Sequence, residues 1–182
     1  MRGRDLICCV VLSLGCAVVL ASPSYAQATS DNGSVTAQLN AAKPLVAKIK
    51  SDAVKMEAYG QNGGLNWQSH SAALDKIKAD VNSLQENMRG LQSHRTTASP
   101  WQQDAIDRIM GFANDLATNM NAAIDRLNKS KSRPTTPPYP AYLKANTRIV
   151  SDLADEIDAT IDYGQAKATA DSLGQQIDSG TK

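Results

Sequence analysis

Two histidines, His70 and His94, are the side chains best suited to acid–base chemistry in this 182-residue chain. Imidazole titrates near neutral pH and is a common metal ligand. On one continuous helix, a separation of 24 residues corresponds to about 36 Å, so the two rings cannot share a metal ion. His70 also follows the apolar periodicity of its segment, which favours a partly buried histidine with one hydrogen-bond partner.

Three methionines, Met56, Met88 and Met120, offer thioethers that could face a histidine. A His/Met pair across a helical core is one way to hold haem b. Methionine at helical spacing is more often core filling. We therefore expect no cofactor, with haem or small-molecule binding as the alternative.

The residues needed for thiolate sites and for a di-iron carboxylate centre are missing from the chain that follows the predicted signal. All three cysteines lie within the first 16 residues, in a segment that we expect to be removed, which excludes thiolate sites and a c-type haem from the remaining chain. A di-iron centre needs Glu-x-x-His pairs on facing helices, and the three glutamates form none. No nucleophile elbow marks a hydrolase.

Two charged sets are candidate surfaces. Asp155, Asp158 and Asp162 share a helix face and predict either a cation- or partner-binding surface or a solvated face. Because they lack the spacing of a calcium loop, we expect no metal. A basic set without intervening acids, which fits anionic polymers, lipid head groups or a charged linker, consists of Arg126, Lys129, Lys131, Arg133, Lys144 and Arg148.

The aromatic residues lie near predicted helix ends. An up-down bundle would gather Tyr59, Trp67, Tyr139 and Tyr142 at one end, and Trp101 with Tyr163 at the other, near His94. They either pack the ends of the core or line a binding mouth.

Residues 1–26 have the order of a secretory signal. Arg2 and Arg4 precede an uncharged run of 16 residues and a small-residue cleavage site before Gln27. The run is shorter than the ~20 residues of a membrane span, so a retained anchor is the lesser interpretation; lipidation at Cys16 is another. We predict cleavage after Ala26, with Ala21 and Ala28 as alternatives, export to the periplasm or cell exterior, and no transmembrane segment afterwards.

The chain that remains is electrically balanced. Loss of the signal leaves 17 basic and 17 acidic residues, which argues against a nucleic-acid partner. We expect a disordered N-terminus at 27–33, one helical domain at 34–178 and a short tail at 179–182.

Apolar residues recur in steps of three and four through four segments, which predicts an all-α, antiparallel up-down-up-down four-helix bundle. The expected helices are 34–59, 66–94, 100–129 and 140–163, with a weaker helix at 165–178 because Gly164 is expected to bend or end the fourth. Pro44 kinks the first helix or marks its start. Four prolines within 129–140 predict an extended linker.

Charge and repetition give further detail. Residues 34–59 carry a net +2 and residues 149–178 a net −6, so the first and last helices are expected to face each other with opposite signs. The pattern from Leu74 to Met88 recurs without a gap from Ile106 to Met120. Chance similarity of two bundle faces and a duplicated helix are both open explanations.

Three blocks carry a family resemblance: 99–109 beginning Ser-Pro-Trp-Gln, 139–146, and Asp162-Tyr163-Gly164. With them, the region from about Asn66 to Gly174 resembles a group of small, uncharacterised, secreted bacterial helical proteins. The resemblance implies a bacterial exported protein and brings no activity, ligand or catalytic residue.

The sequence therefore favours a non-enzymatic exported bundle that binds or scaffolds in the cell envelope or associates with itself. A small-molecule or haem-b binding bundle and an enzyme of unrecognised class are the alternatives.

Overall fold

The protein is all-helical over the residues that its computed structural model describes, which are 31–61, 66–133 and 135–180. The predicted signal at 1–26 and its cleavage site lie outside them. The four long helices of the described chain are α1 (Gly33–Gln61), α2 (Trp67–Ser93), α3 (Pro100–Lys129) and α4 (Tyr139–Gly180), and a 3-10 turn at Arg95–Thr97 precedes α3. The all-α prediction is confirmed.

The helices pack around one core. Each contacts the next along the chain, and α4 also contacts α1. The predicted apolar positions of α1 and α3 are buried throughout, as are those of α2 after its first turn. In the repeat, Leu74 and Ile106, like Met88 and Met120, occupy equivalent core positions.

In the first half of α4, the apolar spacing of the sequence predicts core positions at Tyr142 and Ile149, which pack against the core without being enclosed by it. Tyr142 and Ile149 are only half-buried. The buried positions are instead Tyr139, Leu143, Asn146 and Val150. Their spacing of four, three and four is regular, but it passes through a polar asparagine, so an apolar pattern selects the neighbouring residues.

The structure shows how α1 and α2 begin and where Pro44 lies in α1. The side chain of Asn32 accepts a hydrogen bond from Ser34 N at 2.9 Å, and that of Asn66 accepts one from Ser69 N at 3.0 Å, so each caps a helix start. Pro44 lies inside α1 and therefore does not mark its beginning.

The connection between α3 and α4 is turned rather than extended. Its described backbone amides donate to carbonyls three residues earlier, at Ser130, Arg133, Thr136 and Tyr139. The prolines at 137, 138 and 140 cannot donate such bonds, which leaves the intervening residues to form the turns.

Helix α4 is continuous for 42 residues, or about 63 Å. The prediction that Gly164 ends it is wrong. A β-carbon at Gly164 would lie 3.2 Å from the indole ring of Trp101, so the glycine serves close packing. Beyond it, residues 165–180 are exposed except for the half-buried Lys167.

Candidate functional site

His70 and Tyr139 form an enclosed pair where α2 and α4 begin. Both side chains are 0% exposed. Tyr139 Oη lies 3.2 Å from His70 Nδ1, and the rings meet edge to face with centroids 5.5 Å apart. Burial lowers the pKa of His70 and raises that of Tyr139, because the low-dielectric core disfavours both charged forms. The pair is therefore neutral at physiological pH.

The second nitrogen of His70 has no polar contact. Nε2 is buried without a hydrogen-bond partner among the described residues. Whichever tautomer is present, one polar group of the ring remains unsatisfied, which costs about 1–3 kcal/mol. Sequence periodicity located this histidine in the core, but its partner lies 69 residues away.

The other haem candidates are dispersed. His94 is half-buried, and its amide donates to Leu91 O at 3.1 Å at the end of α2. Met56, Met88 and Met120 are at most 2% exposed in the core. Met120 Sδ accepts a contact from Asn146 Nδ2 at 3.9 Å, while the ring of His70 faces Tyr139.

The acidic set borders a groove between α1 and α4. Lys43 Nζ and Asp158 Oδ1 are 2.8 Å apart. That hydrogen bond, together with the charges of Asp158 and Asp162, raises the pKa of Lys43. The α1–α4 groove has a volume of about 520 Å³, and it is lined by Lys43, Pro44, Val46, Ala47, Lys50, Ala154, Asp155, Ile157 and Asp158. Opposite charges thus face each other here, as expected.

The basic set is divided among four environments. Arg126 Nη2 donates to Pro137 O at 2.7 Å and secures the α3–α4 connection. Lys131 Nζ lies 4.6 Å from the centroid of the Trp67 ring, a cation–π geometry. Lys144 and Arg148 line a second groove of about 540 Å³, opposite Glu57. Lys129 and Arg133 are exposed.

The predicted aromatic residues take unlike surroundings. Tyr139 is in the core, Trp67 and Tyr142 are half-buried, and Tyr59 is 42% exposed beside a small cleft between α1 and α2. Trp101 and Tyr163 meet as expected, edge to face with centroids 4.9 Å apart.

Gln102 makes a buried clamp that sequence reasoning did not find. Its side chain is 0% exposed. Oε1 accepts from Asn32 N at 2.8 Å and from Ser99 N at 3.2 Å, while Nε2 donates to Asn32 O at 3.1 Å. The spacing Ser99 to Gln102 indicates the capping interaction, but the contact with Asn32 spans 70 residues and leaves no local signal.

Trp101 extends this junction to the last helix. Its Nε1 donates to Asp31 Oδ1 at 2.8 Å, and Asp31 Oδ2 lies 3.6 Å from Lys167 Nζ. The Ser-Pro-Trp-Gln block therefore joins the starts of α1 and α3 to α4 near Tyr163 and Gly164. Trp101 and Gln102 of this block hold the helices together.

A second polar pair, half-buried at Asn119 and buried at Asn146, joins α3 to α4. Asn119 Nδ2 donates to Asn146 Oδ1 and to Tyr142 O, both at 2.8 Å. Asn146 is 2% exposed. These contacts explain why a polar residue occupies a core position of α4, since its amide is satisfied across the interface.

The described chain holds neither a metal-ligand cluster nor a membrane-spanning helix. In 31–61, 66–133 and 135–180, no three histidine, cysteine, aspartate or glutamate side chains are placed to hold a metal ion. Over the same ranges, no helix combines the length and apolarity needed to cross a membrane.

No family model matches the sequence, and neither a curated protein nor a solved structure gives a significant match.

Proposed function

We propose that the chain is an exported, non-enzymatic helical bundle that acts by binding a partner in the cell envelope. The observation that carries this proposal is the enclosure of its polar core groups. His70, Tyr139, Gln102 and Asn146 are buried. Their polar groups contact one another, the half-buried Asn119 or the backbone. Chemistry-bearing side chains are thereby committed to holding the helices together, while the accessible features are grooves and an exposed helix end.

The bundle topology of this proposal is up-down-up-down. Contacts of Gln102 with Asn32 and of Tyr139 with His70 support it, since they join the starts of α1 and α3 and those of α2 and α4. The pairs Lys43–Asp158 and Lys76–Asp52 support antiparallel neighbours. The proline-rich connection then leads from the end of α3 back to the same end of the bundle.

The binding surface is the α1–α4 groove. Its floor is apolar, from Val46, Ala47 and Ala154, and its rims carry Lys50 and Asp155. An apolar floor with a few charged groups of both signs suits a partner side chain that is itself amphipathic.

In vivo photocrosslinking tests this proposal. A photoreactive side chain in place of the exposed Ala47 is expected to give one adduct of discrete mass in the native envelope. The control is the exposed Asn82 on α2, which is expected to give none. Equal labelling at the two positions, or none at either, would refute the groove as a binding surface.

Export has its own test. Mass spectrometry of the protein from its host is expected to find a chain beginning at Gln27. A chain that retains residues 1–26 would contradict the predicted export by a cleaved signal. The proposal that the α1–α4 groove binds a partner would still be tested by the photocrosslinking experiment.

The second candidate is a small-molecule binder, favoured by the volume of the α1–α4 groove. About 520 Å³ falls within the ~300–1,000 Å³ typical of ligand sites. Native mass spectrometry of the purified protein is expected to reveal a bound small molecule that is lost on Ala47→Trp. A haem would be seen directly as a Soret band.

A further inference from the structure

The C-terminal half of α4 presents a regular apolar stripe that lies off the core and touches the bundle where Tyr163 packs against Trp101. We call it the α4 stripe; it is made of Ala159, Tyr163, Ala166, Ala170 and Leu173. Their spacing is four, three, four and three, which is the a/d pattern of a coiled coil. All five are exposed, with Tyr163 and Leu173 each at 54%. Ile177, which is 70% exposed, continues the spacing.

The α4 stripe is out of phase with the core residues of the same helix. The bundle uses Leu153, Ile157 and Ile161, whose mean direction lies roughly 160° around the helix from that of the stripe at 100° per residue. Two separate apolar patterns on one helix predict two separate packing partners. The bundle supplies the first.

The sequence of the exposed end of α4 contributes little to the stability of that helix. Residues 165–180 form a helix of about four turns, and isolated helices of this length are marginal in water. The segment has Gly174 in its interior and no basic residue in its last turn. Its charged support is the exposed pair Lys167–Asp171 at 2.6 Å, and exposed ion pairs contribute little to helix stability.

We propose that the α4 stripe pairs with the α4 stripe of a second copy, as a parallel two-stranded coiled coil. The flanking charges select this partner. With Leu173 and Ala166 at d, Asp162 occupies a g position and Lys167 the following e position. A parallel copy places Asp162 of each chain beside Lys167 of the other. Each Lys167, which already contacts Asp31 and Asp171 of its own chain, thereby gains a third acidic neighbour. An antiparallel copy centred on the same stripe would place Lys167 opposite Lys167.

Side-chain size fits the same pairing. Ala166 and Ala170 lie in the middle of the stripe and permit close approach, while Tyr163 and Leu173 close its two ends. At the bundle end the stripe continues into a groove of about 320 Å³ lined by Trp101, Ala159 and Tyr163 among others. The interface is isologous, so it closes at two chains. It does not involve the α1–α4 groove and stands or falls separately from the proposed binding role.

Sedimentation velocity on a dilution series tests the pairing. The exported protein is expected to move from dimer to monomer on dilution. Leu173→Glu places a charge in the stripe and is expected to raise the dimer dissociation constant at least about tenfold, because burying that charge is costly. Gln175→Glu adds the same charge at an exposed position off the stripe and is expected to leave the dimer unchanged. A monomer at every concentration, or equal behaviour of the two variants, would overturn the proposal.

Disulfide trapping tests the orientation. The chain beyond Cys16 has no cysteine, so single cysteines report directly; if mass spectrometry finds the natural three retained, they are changed to Ser. Leu173→Cys is expected to give an oxidised dimer in a glutathione buffer, and Gln175→Cys is expected to give none. A dimer that Leu173→Cys traps no better than Gln175→Cys would exclude parallel pairing. Circular dichroism of each variant checks that the helices are retained.

Discussion

His70 shows what a single residue reveals and conceals at the sequence level. Its apolar spacing predicts a partly buried histidine with one partner, and the structure encloses it fully. The partner, Tyr139, comes from another helix and 69 residues further along the chain, and no local pattern encodes that distance. The same holds for Gln102, whose capping spacing is readable and whose long-range clamp on Asn32 is not.

The buried state of His70 predicts a pH dependence of stability. Its pKa is lowered in the folded chain by burial, while an unfolded histidine titrates near ~6.5. Below about pH 6.5 the unfolded chain therefore binds a proton that the folded chain rejects. The free energy of unfolding should fall by up to about 1.4 kcal/mol per pH unit until the folded pKa is reached. Urea denaturation between pH 7.5 and 5.5 measures this slope.

The control for this slope is the other histidine. His70→Gln is expected to flatten the pH dependence, whereas His94→Gln, at a half-buried position, is expected to preserve it. If His94→Gln abolishes the slope and His70→Gln does not, the buried pair is not its origin.

Gln102 is expected to be among the most sensitive polar positions. Gln102→Ala removes the partner of the half-buried N–H and C=O groups of Asn32 and of the buried Ser99 N–H, and it should lower the free energy of unfolding by about 3 kcal/mol. The neighbouring Gln103 makes one half-buried hydrogen bond, from Nε2 to Ala98 O at 2.9 Å, and Gln103→Ala should cost about 1 kcal/mol. Chemical denaturation of both variants gives the comparison; equal losses would contradict the clamp.

At the scale of elements, the sequence predicts helices well because their apolar period is local. The starts of α2 and α3 coincide with Asn66 and with the Ser99-Pro100 signal. Helix α4 is predicted least well, for two physical reasons. Asn146 interrupts its core pattern although its amide is satisfied by Asn119, and Gly164, which reads as a helix breaker, makes room for Trp101.

Two glycines within helices should respond oppositely to alanine. At Gly60 a β-carbon would lie 2.6 Å from Leu143 Cδ1, so Gly60→Ala should destabilise the protein by about 1–2 kcal/mol through overpacking. At Gly111 a β-carbon meets nothing within 4 Å, so Gly111→Ala should stabilise it by up to about 1 kcal/mol. Thermal denaturation of the pair separates close packing from helix propensity, and shifts of the same sign would contradict this account of Gly60.

At the scale of the whole molecule, the chain divides into a packed bundle and an exposed helix end. Composition and periodicity predict the bundle because one apolar face per helix is enough to specify it. Composition and periodicity do not predict that α4 continues beyond the last residue that it packs into the core. The reason is that Ala166, Ala170 and Leu173 have the same apolar character as residues that are buried. Only the packing in the structure distinguishes the buried residues of α4 from the exposed ones. In the sequence, both belong to one continuous and weakly periodic apolar pattern.

This division predicts the effect of removing the exposed end. A chain ending at Lys167 keeps Asp31–Lys167, Trp101–Tyr163 and every buried residue of α4, so in dilute solution its free energy of unfolding should equal that of the full chain within about 0.5 kcal/mol. At high concentration the full chain should melt at a higher temperature, because association stabilises the folded state by mass action; the shortened chain should show no concentration dependence. Calorimetry over a concentration series measures both effects. If the shortened chain is less stable even at the lowest concentration, then residues 168–182 contribute to the bundle itself, and if neither chain depends on concentration, the α4 stripe has no second copy to cover it.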